Sequence, residues 1–133
     1  MTDELVDHLT GRKLDGMVAA HVMGWTVVEW ERELVYIANG GDRPQPVPGF
    51  FCRPVDMLKI VDRMADLGFW WEVKSPFDPF VSNWFAGFTP HNTSGWNGRP
   101  DHQSPGKTMM EATARAALKH VFAKSRQEEG ESW

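Results

Sequence analysis

Three segments of the chain repeat apolar side chains with the spacing of three and four positions that is typical of an α-helix. The first segment precedes Gly24, the second runs between Pro54 and Gly68, and the third follows Thr108. Proline is favoured as a first helical residue and glycine just past a helix end, so these residues predict helix bounds. The repeating positions are Leu14, Met17, Val18, His21 and Val22 in the first helix, Met57, Ile60, Val61, Met64 and Leu67 in the second, and Met110, Ala114, Ala117, Leu118, Val121 and Phe122 in the third. We expect His21 to be a core residue.

Between these helices the pattern changes to that of β-strands. Residues 25–30 and 33–38 predict one pair of strands, and residues 69–74 and 83–88 predict a second pair. The first pair is joined at Glu31-Arg32, which is a poor sequence for a two-residue hairpin turn. The order helix, two strands, helix, two strands, helix favours an α+β fold, with a mainly antiparallel sheet and three helices, over a parallel doubly wound sheet.

Length and composition predict a single domain. The chain has 133 residues, a net charge of −4 and one cysteine, Cys52. We expect a domain over residues 1–126 and a polar tail over residues 127–133. One cysteine excludes an internal disulfide, and no apolar run approaches the length of a membrane span. The acidic balance argues against a nucleic-acid partner, and we expect a cytoplasmic protein.

Several motifs resemble those of the phage ABA sandwich domain family, which consists of small, largely uncharacterised proteins of phages and prophages. They are the opening Gly11-Arg12-Lys13-Leu14-Asp15, the turn Val22-Met23-Gly24-Trp25, the helix entry Arg53-Pro54, the strand Gly68-Phe69-Trp70-Trp71, and the helix Glu111-Ala112-Thr113-Ala114-Arg115-Ala116-Ala117-Leu118-Lys119. The resemblance spans residues 11–122. It implies an αβα layered sandwich and a phage protein that acts in the host cytoplasm, and it carries over no catalytic residue.

The start of the last predicted helix is a candidate anion site. Ser104-Pro105-Gly106-Lys107-Thr108 is similar to the end of a phosphate-binding loop, but that loop needs a glycine where Asp101 stands. The Lys107 ammonium and the free N–H groups after Thr108 would still attract an anion. The alternative is ordinary capping, in which Thr108 caps the helix and Glu111 reaches back. The predicted ligand-binding residues, which include nearby aromatic and loop side chains, are Lys107, Thr108, Trp84, Trp96, His91, His102 and Arg99.

Two function classes compete. The first is a non-catalytic binding protein that captures a nucleotide-like anion and needs neither a cofactor nor a metal. The second is a protein-interaction or homo-oligomerising module, because seven tryptophans and eight phenylalanines exceed what a small core needs. A hydrolase that uses His91, His102 and Asp101 ranks last, since these residues lack the spacing of a metal or catalytic site.

The last helix is also rich in basic residues. Residues 107–126 contain five basic side chains and one acidic side chain. With Trp84, Phe85 and Trp96, they would form an aromatic and cationic surface for nucleotides. The alternative is a solvated helix face whose charges suit the helix dipole. In both cases the basic side chains are expected at the surface.

Overall fold

The structure, a computed structural model, describes residues 2–30, 32–37, 43–76, 83–91 and 104–131. This part of the chain has an α+β fold of four helices and two three-stranded antiparallel sheets. The helices are α1 (Asp3–Asp7), α2 (Gly11–Met17), α3 (Pro54–Asp66) and α4 (Met109–Glu131). The strands are β1 (Thr26–Trp30), β2 (Glu33–Ile37), β3 (Gln45–Pro46), β4 (Phe69–Lys74), β5 (Trp84–Pro90) and β6 (Ser104–Gly106).

The expected α+β class with antiparallel pairing is confirmed. The strands form two sheets with the orders β1-β2-β3 and β4-β5-β6. The short strands β3 and β6 were not expected, because Pro46 and Pro105 lie in them. Each of these strands lies at the edge of its sheet, where a proline removes no essential ladder bond. The layered sandwich arrangement stays a prediction.

The first predicted helix changes its geometry part-way. After α2 the chain continues as a π-helical segment, Val18–Val22, and Gly24 then adopts the left-handed conformation with φ of 74°. A π-helical turn holds more residues than an α-helical turn, so it rotates later side chains around the axis. The expectation that His21 is a core residue is wrong for this reason. Its side chain is exposed, and its ring lies 5.0 Å from that of Phe122.

The second predicted helix is confirmed. Helix α3 begins at Pro54, ends at Asp66 and buries Met57, Ile60 and Met64. Gly68 follows with φ of 98°, a conformation that favours glycine, and directs the chain into β4.

Helix α4 is the centre of the molecule. Every residue from 111 to 119 is buried, and the helix packs against β5, β6, α3, the π-helical segment and α1. Small side chains allow this close approach, and a Cβ atom on Gly106 would lie only 2.5 Å from the backbone nitrogen of Ala112. The helix continues to Glu131, past the boundary at residue 126 that the sequence indicates.

Three buried charged side chains, spaced four residues apart on α4, hold the N-terminal segment. The guanidinium of Arg115 donates twice to the carbonyl of Leu9, at 3.0 and 2.9 Å, and once to that of Pro105, at 2.8 Å. It also pairs with Glu111 at 3.1 Å. The ammonium of Lys119 pairs with Asp7 at 2.7 Å. The expectation of a basic surface is therefore wrong for Arg115 and Lys119. Both side chains are buried, and their charges are paired with Glu111 and Asp7.

We predict that Arg115→Met lowers the free energy of unfolding by about 3–5 kcal/mol, because it leaves the buried Glu111 carboxylate without its cation. Urea unfolding would measure this loss. Arg53→Met serves as the control, because the Arg53 side chain is exposed and such a change costs about 0.5 kcal/mol or less. Equal losses in the two variants would contradict the structural role of Arg115.

Candidate functional site

The structure describes part of the predicted ligand site. Lys107 and Thr108 are exposed between β6 and α4, Trp84 is partly buried in β5, and His91 is exposed just after β5. The remaining predicted residues lie outside the described residues: Trp96, Arg99 and His102.

The described members of this site do not all come together, because His91 lies apart from the others. Trp84 pairs with Gly106, so it lies at the end of β5 that adjoins Lys107. His91 follows the opposite end of β5, where its backbone N–H donates to the carbonyl of Gly68 at 2.8 Å. Strand β5 has seven residues, so its ends are about 20 Å apart. Trp84 and His91 are therefore too far apart to contact the same small ligand.

The start of α4 already contains a carboxylate. Thr108 Oγ1 accepts from the N–H of Glu111 at 3.1 Å, so the predicted cap is confirmed. The Glu111 carboxylate accepts from the N–H of Lys107 at 3.2 Å and from the Thr10 hydroxyl at 2.9 Å. An external anion at this helix start would meet that negative charge. The geometry thus favours capping, and the binding role of Lys107 and Thr108 stays a prediction.

A cleft of about 350 Å³ lies elsewhere, and we call it the arginine cleft. It is lined by Arg12, Arg32, Glu33, Leu34 and Pro46. These residues come from the first turn of α2, the β1-β2 turn, β2 and β3. Its volume is at the lower end of the range for small-molecule sites, about 300–1,000 Å³. No single sequence motif contains all of these residues, because they are distant along the chain.

Arg12 is held in a fixed position in this cleft. One terminal nitrogen, Nη1, donates to Asp15 Oδ2 at 2.7 Å, and the other, Nη2, donates to the carbonyl of Val47 at 2.8 Å. Asp15 Oδ1 accepts from the N–H of Phe51 at 3.0 Å, so the pair fastens α2 to the chain that enters α3. About half of the Arg12 side chain stays exposed.

Asp15 itself is fully buried. Burial raises the pKa of its carboxyl group, although the N–H of Phe51 and the charge of Arg12 act in the opposite direction. The carboxylate is therefore costly to bury, and in this place it orients an arginine of the cleft.

Arg32 occupies an unfavourable backbone conformation. It lies in the two-residue turn between the paired residues Trp30 and Glu33, and its φ is 67°. Glycine adopts this left-handed conformation freely, whereas other residues lose roughly 1–2 kcal/mol. The turn sequence Glu31-Arg32, which is poor for a two-residue hairpin, agrees with this strained conformation. Backbone strain of this kind is concentrated at functional sites, and the Arg32 side chain lines the cleft.

Comparison with models of protein families and with curated proteins finds no match to the chain. The resemblance to the phage ABA sandwich domain family therefore stays a prediction that rests on the quoted motifs. Among the helices of the described ranges, none is long and apolar enough to cross a membrane.

We predict that Arg32→Gly raises the free energy of unfolding by about 1 kcal/mol, because glycine relieves the left-handed strain of the turn. Thermal or urea unfolding would measure the gain. Glu33→Gly, one residue later in β2, is the matched control and should lower stability by about 0.5–1 kcal/mol. A loss of stability in Arg32→Gly would show that the Arg32 side chain stabilises the turn.

We predict that Asp15→Asn changes how stability depends on pH. The raised pKa means that folding favours the protonated carboxyl group, so the stability that Asp15 contributes is lost as pH rises through this pKa. The free energy of unfolding of the wild type, relative to Asp15→Asn, should fall as pH rises above about 4, the ordinary pKa of an aspartate. Urea unfolding across this range would test the sign, and a relative increase with pH would contradict it.

Proposed function

We propose that the protein is a non-catalytic binding protein that holds a small, nucleotide-like anion in the arginine cleft. The observation that carries this proposal is that Arg12 and Arg32 both line one cleft. Guanidinium groups present planar sets of donors that match phosphate and carboxylate oxygens. Arg12 is already oriented by Asp15 and Val47, so binding would cost it little conformational entropy.

The other residues that line the cleft define the class of ligand further. Glu33 brings a carboxylate that accepts hydrogen bonds, while Leu34 and Pro46 bring apolar surface. A ligand that carries only negative charge would be repelled by Glu33. A nucleoside monophosphate suits the set better, because its phosphate meets the arginines and its hydroxyl or amino groups donate to the carboxylate.

The backbone strain at Arg32 supports the same proposal. An arginine in a turn that favours glycine lowers stability, and such a residue persists where its side chain serves another role. The resemblance to the phage ABA sandwich domain family adds that the protein is encoded by a phage and acts in the cytoplasm of the host cell.

Calorimetric titration with the four common ribonucleoside monophosphates and with inorganic phosphate tests this proposal. We expect at least one nucleotide to bind, and Arg32→Gly to weaken its binding tenfold or more, since a charge-assisted contact contributes about 1.5–3 kcal/mol. The loss should occur although this variant is the more stable protein. Weaker binding by a variant that is more stable cannot result from unfolding, so the loss would be assigned to the missing Arg32 side chain.

Two further variants fix the place of binding. Arg53→Ala removes an exposed arginine that does not line the cleft, and it should leave nucleotide affinity unchanged. Lys107→Ala tests the site that the sequence predicts at the start of α4. Loss of binding in Lys107→Ala alone would move the site to that helix start. Absence of binding by every nucleotide would overturn the proposed function.

A further inference from the structure

Strand β4 lies at the edge of the second sheet. In the order β4-β5-β6, no strand of the described ranges pairs with its outer side. The hydrogen bond from the N–H of His91 to the carbonyl of Gly68 shows that the backbone groups of Gly68 point towards β5. In an antiparallel ladder, residues that bond to the neighbouring strand alternate with residues that do not. The backbone N–H and C=O groups of Phe69, Trp71 and Val73 therefore point away from β5. Pro90, which has no N–H, lies opposite Phe69 and agrees with this pattern.

The two faces of β4 differ. Trp71 faces the helices, and its indole N–H donates to the Thr113 hydroxyl at 3.1 Å. The ring of Phe69 lies 5.0 Å from that of His120. The other face carries Trp70, Glu72 and Lys74. The Trp70 side chain has 59% of its surface exposed.

We propose that β4 pairs with β4 of a second copy of the chain and forms an antiparallel dimer about a twofold axis. The backbone groups that point away from β5 in one copy can bond only to the same kind of groups in the other copy. This requirement restricts the pairing of the two strands to a few registers. In the register centred on Val73, Glu72 of each copy lies opposite Lys74 of the other. In the register centred on Glu72, the two Glu72 carboxylates meet. Opposite charges stabilise cross-strand pairs and like charges destabilise them.

This charge pattern is what selects a second copy as the partner. Exposed lysines on an edge strand ordinarily discourage pairing. Here the lysine is accompanied by a glutamate two residues earlier on the same face, so an identical strand neutralises both charges. The Val73-centred register also brings Trp70 towards Pro76 of the second copy, which covers the exposed indole ring. The dimer lies outside the arginine cleft and does not depend on the proposed function.

Sedimentation equilibrium from about 1 to about 300 μM tests the dimer. We expect a dissociation constant of about 10–100 μM, because the interface is small. Glu72→Lys alone and Lys74→Glu alone should each weaken the dimer about tenfold, since both cross-strand pairs become repulsive. The double variant Glu72→Lys/Lys74→Glu restores both pairs and should return the dissociation constant to within about twofold of the wild type.

Asp62→Lys is the matched control, because it changes the net charge as Glu72→Lys does but lies exposed on α3. It should leave the dimer intact.

Hydrogen exchange of the whole chain provides a second readout, in which the amides of Trp71 and Val73 become protected as concentration rises. A wild-type monomer at every concentration would overturn the proposal. A dimer that ignores the charge reversals, or that the double variant fails to restore, would overturn it as well.

Discussion

The structure depends on burying helix α4, which is not an amphipathic helix in the region of residues 111 to 119. A helix surrounded on all sides must satisfy every polar group that it carries inward, or lose several kcal/mol for each. Arg115 does so through the carbonyls of Leu9 and Pro105 and through Glu111, and Lys119 does so through Asp7. The N-terminal segment is therefore held by polar contacts as well as by the apolar contacts of Val6.

The features that local chemistry determines could be predicted from the sequence. Pro54 and Gly68 bound α3 because each has a backbone preference that does not depend on the rest of the fold. Thr108 caps α4 for the same reason. The burial of Arg115 could not be predicted, because its partners Leu9 and Pro105 approach only in the folded chain. A π-helical segment such as Val18–Val22 likewise leaves no distinct mark in the spacing of apolar residues.

The same distinction explains what was found of the candidate site. A loop-to-helix motif is read along the chain, so the sequence directed attention to Lys107 and Thr108. The arginine cleft instead joins α2, the β1-β2 turn and β3, whose approach is set by tertiary packing. The turn Glu31-Arg32 beside the cleft has a sequence that suits a two-residue hairpin turn poorly. A conflict between a residue and its backbone conformation, such as that of Arg32, becomes visible only in the structure.

Both proposals place activity at the margins of the two sheets and away from α4. This follows from how tightly α4 is packed: Gly106 approaches Ala112 so closely that no side chain could be added there, and a packed interior leaves no space for a ligand. The hairpin turn at Arg32 is exposed, and no strand of the described ranges lies on the outer side of β4. The two proposals therefore assign binding and association to exposed side chains that lie outside the contacts made by α4. The molecule can retain a strained turn and an open edge because α4 and its buried charges stabilise the remainder.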